Sequence, residues 1–289
     1  MIGSSAIWSN RAAGEGRIDS SDRGFLLGDG VFDTLTAFNN IPFEGERHLT
    51  RLVAHAAAIG IELDPAVVKT GWQSVLGQSA FPAAVLRTTV SRGVAARGLW
   101  PSATTGPTIV VTASPWSPRQ LQGSVSIATS DIRRNEKSPT SQLKSLGYLD
   151  NILAARDAKA RGADDALLLN GVGAVACTTI ANLFAIRDGR LITPPGGDGV
   201  LAGVTRGLVL EFAAAAGLAA NEESLTRQDL DSAAFVFLTN SVRLLVPVGT
   251  LDGQERPITP PAAFRTLRAA MADRVAATTG YALAWSDPD

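Results

Sequence analysis

The 289-residue sequence predicts a mixed α/β, or α+β, protein. Three observations lead there. Apolar residues make up 45% of the chain, enough for a large core. Short β-rich runs alternate with longer stretches whose apolar residues recur every three or four positions. A segment of proline and polar residues, ASPWSPRQLQG at 113–123, divides the chain.

In chain order, the predicted strands are AIWSN (6–10), AVLRTTVS (84–91), TIVVTAS (108–114), SVSIATS (124–130), DDALLLN (164–170), NLFAIRDG (182–189) and AFVFLTN (234–240). Each is rich in branched or aromatic residues and is bounded by Gly, Pro, Asn, Asp or Ser. The predicted helices cover 45–61, 65–77, 148–162, 203–217 and 260–280, where an apolar stripe of helical period runs between breakers. The proline-rich segment implies a division near residue 120, with a small N-terminal α/β domain at 1–115, a linker at 116–123 and a large domain at 124–289.

Charge and cysteine content narrow the function. Twenty-six basic and 27 acidic residues give a net charge of -1, which points away from nucleic acid and anionic membranes and toward a small-molecule partner. A single cysteine excludes an internal disulfide and a cysteine-based zinc site. The opening MIGSSAIWSN lacks a basic, apolar leader, and no run reaches the roughly 20 apolar residues of a membrane span, so a cytoplasmic location is expected.

His48 and His55 lie on one predicted helix with no serine motif and no third metal ligand, so they read as solvated or half-buried helix positions. Lysine is scarcer, with four residues (Lys69, Lys137, Lys144 and Lys159) against 22 arginines. Lys69 and Lys159 fit solvated helix faces, and Lys137 lies in a polar loop. Lys144, in SQLKSLGYLDNILAA, is flanked by small and apolar residues that would desolvate its ammonium and free its lone pair. An amine of that kind suits a carbonyl cofactor with an anionic anchor, such as pyridoxal phosphate. LAGVTRG (201–207) would open a helix on a Gly and a Thr, presenting donors to an anion, and FLTNSV (237–242) ends a strand in hydroxyl and amide side chains. Each segment also has a plain reading as a cap or a turn.

Together these segments resemble the class IV aminotransferase family, the fold type IV pyridoxal-phosphate enzymes. The family includes D-amino-acid and branched-chain aminotransferases, (R)-amine transaminases and aminodeoxychorismate lyases. The resemblance runs in order through DRGFLLGDGVFDTLTAFNNIPFEGERHLTRL, TVSRGVAARGL, LKSLGYLDNILAARDAKARGADDALLLN, GVLAGVTRGLVLEF and FLTNSVRLLVPV. It implies a small N-terminal α/β domain, a larger cofactor-binding domain with a β-barrel-like core, and a homodimer. It also implies that Lys144 carries pyridoxal 5'-phosphate as a Schiff base and moves the substrate proton. Arg51, Val204, Thr205 and Ser241 would hold the phosphate, and Leu201 would lie against the ring. Outside the resemblance, Arg51 reads as a surface helix arginine and Leu201 as a core leucine.

The resemblance leaves the substrate open. Arg97 falls where D-amino-acid aminotransferases hold the substrate carboxylate, but Leu99 replaces the histidine expected two residues later, and Phe32 replaces a tyrosine. Both changes enlarge the apolar wall. Arg243 and Arg134 are alternative anion contacts. Cys177, in GAVACTTIANLFAI, falls where the family has the glutamate that keeps the cofactor nitrogen protonated. Either the thiol takes that place, or Cys177 is a small buried residue and a neighbour such as Thr178 meets the nitrogen. The expected activity is amino transfer from a D-amino acid or an (R)-type primary amine to an α-keto acid such as pyruvate. The alternative is a lyase forming 4-aminobenzoate and pyruvate from aminodeoxychorismate. A third reading is a protein that binds the cofactor without turnover.

Overall fold

The computed structural model describes residues 6–11, 17–100 and 105–285; the first five residues of MIGSSAIWSN lie outside it. The chain forms two compact units. The first comprises Met1–Ser117, Leu143–Gly147 and Thr278–Tyr281, and the second comprises Pro118–Gln142, Tyr148–Ala277 and Ala282–Asp289.

The first unit is built on β1 (Ala6–Ser9), β2 (Gly30–Phe38), β3 (Ile41–Pro42), β4 (Ala83–Ser91) and β5 (Thr108–Pro115), in the sheet order β1-β5-β4-β2-β3. Strands β2 and β4 pair antiparallel from Gly30↔Ser91 to Phe38↔Ala83. Asn39 and Asn40 both take positive φ, closing β2 onto β3 with the two-residue turn that matches the twist of a hairpin. β2 is not among the predicted strands, because its two faces are both buried and show no alternation.

Helices α1 (Arg23–Leu27), α2 (Gly45–Ala58) and α3 (Pro65–Gln78) complete this unit. Asp64 caps α3 by accepting the N–H of Ala66, with Pro65 at the first helical position. The core joins Val31, Leu35 and Ala37 of β2 to Leu49 and Leu52 of α2 and Val68 and Trp72 of α3. Period two places Asp33 on that same apolar face, a position where a carboxylate must find partners.

The second unit contains β6 (Val125–Thr129), β7 (Asp165–Leu169), β8 (Val175–Thr178), β9 (Asn182–Arg187), β10 (Arg190–Thr193), β11 (Ala219–Glu222), β12 (Phe235–Asn240), β13 (Leu244–Leu251) and β14 (Gln254–Glu255). Its helices are α4 (Leu149–Ala160), α5 (Val204–Phe212), α6 (Arg227–Ser232) and α7 (Ala262–Thr279). The sheet order is β11-β10-β9-β12-β13-β6-β7-β8, with β14 paired to β13.

This sheet has to curl. Strands β8 and β9 stand five positions apart in it, which would be about 24 Å if it were flat. Only Thr179, Ile180 and Ala181 link them, a reach of at most about 14 Å. The result is a curled half-barrel sheet. Phe184 and Phe237 stack at 5.1 Å in its core, beside Phe235 and Phe264. Helix α7 buries Phe264, Leu267, Met271 and Val275 at helical spacing. The second unit begins with a short 3₁₀ turn, Pro118–Leu121, anchored by the fully buried Leu121.

Candidate active site

In the first unit, Lys144 is carried on a short stretch that lines the edge of β2. The Phe32 N–H donates to the Lys144 carbonyl at 2.8 Å, the Leu146 N–H donates to the Gly30 carbonyl at 3.0 Å, and Ser145 bridges Val31. On its other side, the Lys144 N–H donates to His55 Nδ1 at 3.1 Å. The main chain of the lysine is therefore held by a strand and a helix, which leaves motion to its side chain. Its Nζ lies 4.4 Å from the centre of the Phe32 ring, and the Arg87 guanidinium lies 3.8 Å from the same centre.

Behind the lysine, Asp33 is only 2% exposed, as is His48. Asp33 accepts Nε and Nη2 of Arg51 at 2.9 Å each and lies 2.7 Å from His48 Nδ1. Burial pushes the Asp33 carboxyl up, but His48, Arg51 and Lys144 outweigh it and hold the group below the usual carboxylate range. Asp33 takes the Nε–Nη2 edge of the guanidinium in a bidentate pair. His48 is buried, a correction to its reading as a solvated or half-buried residue. His55 is half-buried, and its pKa is held below the ordinary imidazole value by burial, Arg51 and Lys144, with Asp33 opposing.

The loop holding Arg97 and Leu99 is exposed, and its Gly98 and Leu99 carbonyls accept Nη1 and Nη2 of Arg23 at 2.7 and 3.1 Å. Arg23 in turn pairs with Asp29, which also holds Arg92.

The second unit places Val204 and Thr205 in the first turn of α5. That helix starts at Gly203 with no side-chain cap, so its first N–H groups project from its positive end. Asn182 Nδ2 donates to the Leu201 carbonyl at 2.9 Å. A Cβ on Gly203 would come within 2.1 Å of Asn182 Oδ1, so glycine permits this close approach. Leu201 and Ser241 are half-buried. At the end of β12, Asn240 Oδ1 accepts the N–H groups of Val242 and Arg243, shaping the turn that holds Ser241, and the nearby Thr239 hydroxyl is buried without a partner.

Arg243 lines a cleft of about 140 Å3 with Arg119, Gln120, Gln122 and Asp164. Arg134 donates to the Gly199 and Ser141 carbonyls and so braces neighbouring loops. Cys177 lies in an apolar cluster with Ala128, Ala154, Leu168 and Val200, and burial pushes its thiol up to about 11. Thr178 is buried, and its N–H donates to the Ala181 carbonyl. Among the described residues, no group of three or more His, Cys, Asp or Glu could hold a metal ion.

The model of the class IV amino-transferase family matches residues 30–251. The chain belongs to the class IV aminotransferase family. A Methanocaldococcus jannaschii protein inferred to be a branched-chain-amino-acid aminotransferase is 33% identical over 83% of this chain and 84% of its own length. The D-alanine aminotransferase of Bacillus licheniformis is 30% identical, covering 82% and 84% of the two chains. The structure of 4-amino-4-deoxychorismate lyase from Pseudomonas aeruginosa superposes with a TM-score of 0.82 at 29% identity, covering 92% of this chain and 98% of that one.

Class IV aminotransferases use pyridoxal phosphate, and most of the residues present fit it. A half-buried lysine with a clamped main chain suits the aldehyde, and the uncapped start of α5 suits a phosphate. Cys177 does not fit as a counter-charge, because a thiol held near 11 is neutral at pH 7.

Asp33, His55, Arg87 and Asn182 have no role in the sequence reading. A signal for two of them exists, because His48, Arg51 and His55 are spaced i, i+3, i+7 and share one face of α2. Asp33 is marked by breaking the apolar set Val31, Leu35 and Ala37. Arg87 and Asn182 carry no comparable signal.

Proposed function

We propose that this class IV aminotransferase moves an amino group from a D-amino acid or an (R)-type primary amine to an α-keto acid such as pyruvate. The observation that carries the reading is the pairing of Lys144 Nζ and the Arg87 guanidinium around the Phe32 ring. An amine able to carry a proton then stands near a cation able to bind a carboxylate, which favours an amino-acid donor. The D-alanine aminotransferase relative supports the D-amino-acid arm.

When bound, pyridoxal phosphate supplies a carbonyl for the amine and a ring that spreads the charge left by a departing proton. Lys144 holds the cofactor and moves the proton at the substrate Cα. Phe32 and Leu201 exclude water from that carbon. By the family resemblance, Arg51, Val204, Thr205 and Ser241 are the residues proposed to hold the phosphate. Arg97, Leu99, Arg243 and Arg87 are the residues proposed to sort substrates. We further propose a cytoplasmic homodimer. Its support is the exposed apolar set Phe25, Leu26, Leu27, Leu99 and Trp100, at 53–89% exposure, which a second copy would cover.

Screening amine donors with pyruvate, followed at the cofactor absorbance, tests the reading. Turnover of D-alanine or an (R)-amine that requires a keto acid supports it. The lyase reading is favoured by the Pseudomonas aeruginosa structure. Pyruvate released from aminodeoxychorismate without an amino acceptor would replace the transaminase reading with that one.

A further inference from the structure

We propose that His55 is a positioning residue for Lys144: its neutral ring latches the main-chain N–H of the lysine, and protonation of the ring opens the latch. The proposal rests on the reading of Lys144 as the reactive amine. Its geometric basis is the 3.1 Å hydrogen bond from the Lys144 N–H to His55 Nδ1. An accepting Nδ1 carries no proton, so the ring is neutral with its hydrogen on Nε2. A protonated ring would turn a second donor toward the Lys144 N–H, and the two would repel.

The latch complements the strand pairing. The Lys144 carbonyl is held by the Phe32 N–H of β2, while the N–H of the same residue is held from α2. Both main-chain polar groups of Lys144 are thus satisfied, and the Cα from which the amine swings is fixed between two elements. Without an acceptor at 55, a part-buried N–H loses its partner and the segment can rotate about its remaining bonds.

The charged groups facing the ring decide how easily it opens. Arg51 stands on α2 itself, Asp33 on β2 and Lys144 on the edge segment. Burial and the two cations oppose a proton on His55, and Asp33 favours one. The neutral, latched form therefore holds through neutral pH and yields in mild acid. The lysine loses its alignment there while the rest of the site is still assembled.

Two substitutions test this. His55→Gln keeps a side-chain acceptor but cannot titrate, whereas His55→Leu removes the acceptor. For the leucine variant, the expected result is a loss of about tenfold in kcat at pH 8, with the KM for the amino donor little changed. The glutamine variant should recover most of that rate. The wild type should show an acidic limb in kcat with an apparent pKa below 6.5, and the glutamine variant should lose that limb.

Amide hydrogen exchange at Lys144, measured by NMR with and without pyridoxal phosphate, provides a readout independent of turnover. Protection should be strong in the wild type and in His55→Gln, and weak in His55→Leu. Equal protection in all three proteins would overturn the latch, as would an unchanged acidic limb in His55→Gln. Lost protection in His55→Leu with unchanged kcat would leave the hydrogen bond standing but overturn the positioning role, whereas turnover retained by Lys144→Ala would instead refute Lys144 as the reactive amine.

Discussion

Cys177→Glu asks whether the thiol stands at the cofactor nitrogen or merely fills the core. The rise of the thiol from 9.0 to about 11 corresponds to about 2.7 kcal/mol against a negative charge at that point. Burial among Ala128, Ala154, Leu168 and Val200 is the main cause; Arg134 opposes it and Asp165 adds to it. A glutamate there meets the same burial, which would raise its pKa above the ordinary carboxylate range. In the cofactor-free protein, the charged side chain should cost about 2–3 kcal/mol of stability at pH 7, read from urea denaturation. A protonated pyridine nitrogen beside it would return that energy.

Pyridoxal phosphate should therefore raise the midpoint of Cys177→Glu more than that of the wild type, and the half-reaction with the amino donor should accelerate. If added cofactor restores nothing, and the half-reaction rate and cofactor absorbance stay as in the wild type, Cys177 is not at the nitrogen. The thiol is then a packing residue only.

Asp33→Asn should cost about 3–5 kcal/mol, because it leaves Arg51 and His48 facing a neutral amide in a buried place; a change below about 1 kcal/mol in urea midpoints would contradict the ion cluster. The wild-type stabilisation from Asp33 is present above the ordinary carboxylate pKa and is lost as pH falls through the lowered one. Acid melts of Asp33→Asn should accordingly show a shallower decline than the wild type. Gly71→Ala should cost about 1–3 kcal/mol, since a Cβ there meets Trp8 and Val111 at 2.7 Å each; an unchanged thermal midpoint would refute that close approach. The Cys177 thiol should ignore an aromatic disulfide reagent at pH 8 in the native protein and react once the chain is unfolded, so rapid native reaction would disprove its burial.

The long amphipathic helices were legible because their apolar stripes are strong. Residues 45–61, 65–77 and 260–280 are predicted helices, and α2, α3 and α7 lie within a few residues of them. Strands β8, β10, β11 and β13 escape the same reading. β8 is a run of four wholly buried residues, and β13 is buried almost throughout, so neither shows the alternation that marks a half-exposed strand. Local turn chemistry offered more than the strand pattern used. Asp188-Gly189 and Asp252-Gly253 both adopt positive φ and close two-residue hairpins, a signal readable from the dipeptides alone.

In the site, Lys144 could be singled out by scarcity and flanking residues. Its setting could not, because Arg87 and Phe32 meet only through the strand pairing of β2 with β4. Asn182 likewise acquires its hold on Leu201 from a contact across 19 residues of chain.

The stretch bearing Lys144 also closes a sheet edge. Until Lys144–Leu146 arrives, the first residues of β2 present open main-chain donors and acceptors, the kind of surface on which strands of separate chains join. More than a hundred residues separate the two partners, so during synthesis that edge stays open until the first segment of the second unit, Pro118–Gln142, has been made. The cap uses main-chain atoms alone. Exchanging the side chain at 144 can remove the chemistry and leave the edge covered, whereas a proline at 146 would remove a capping N–H and expose the edge to aggregation.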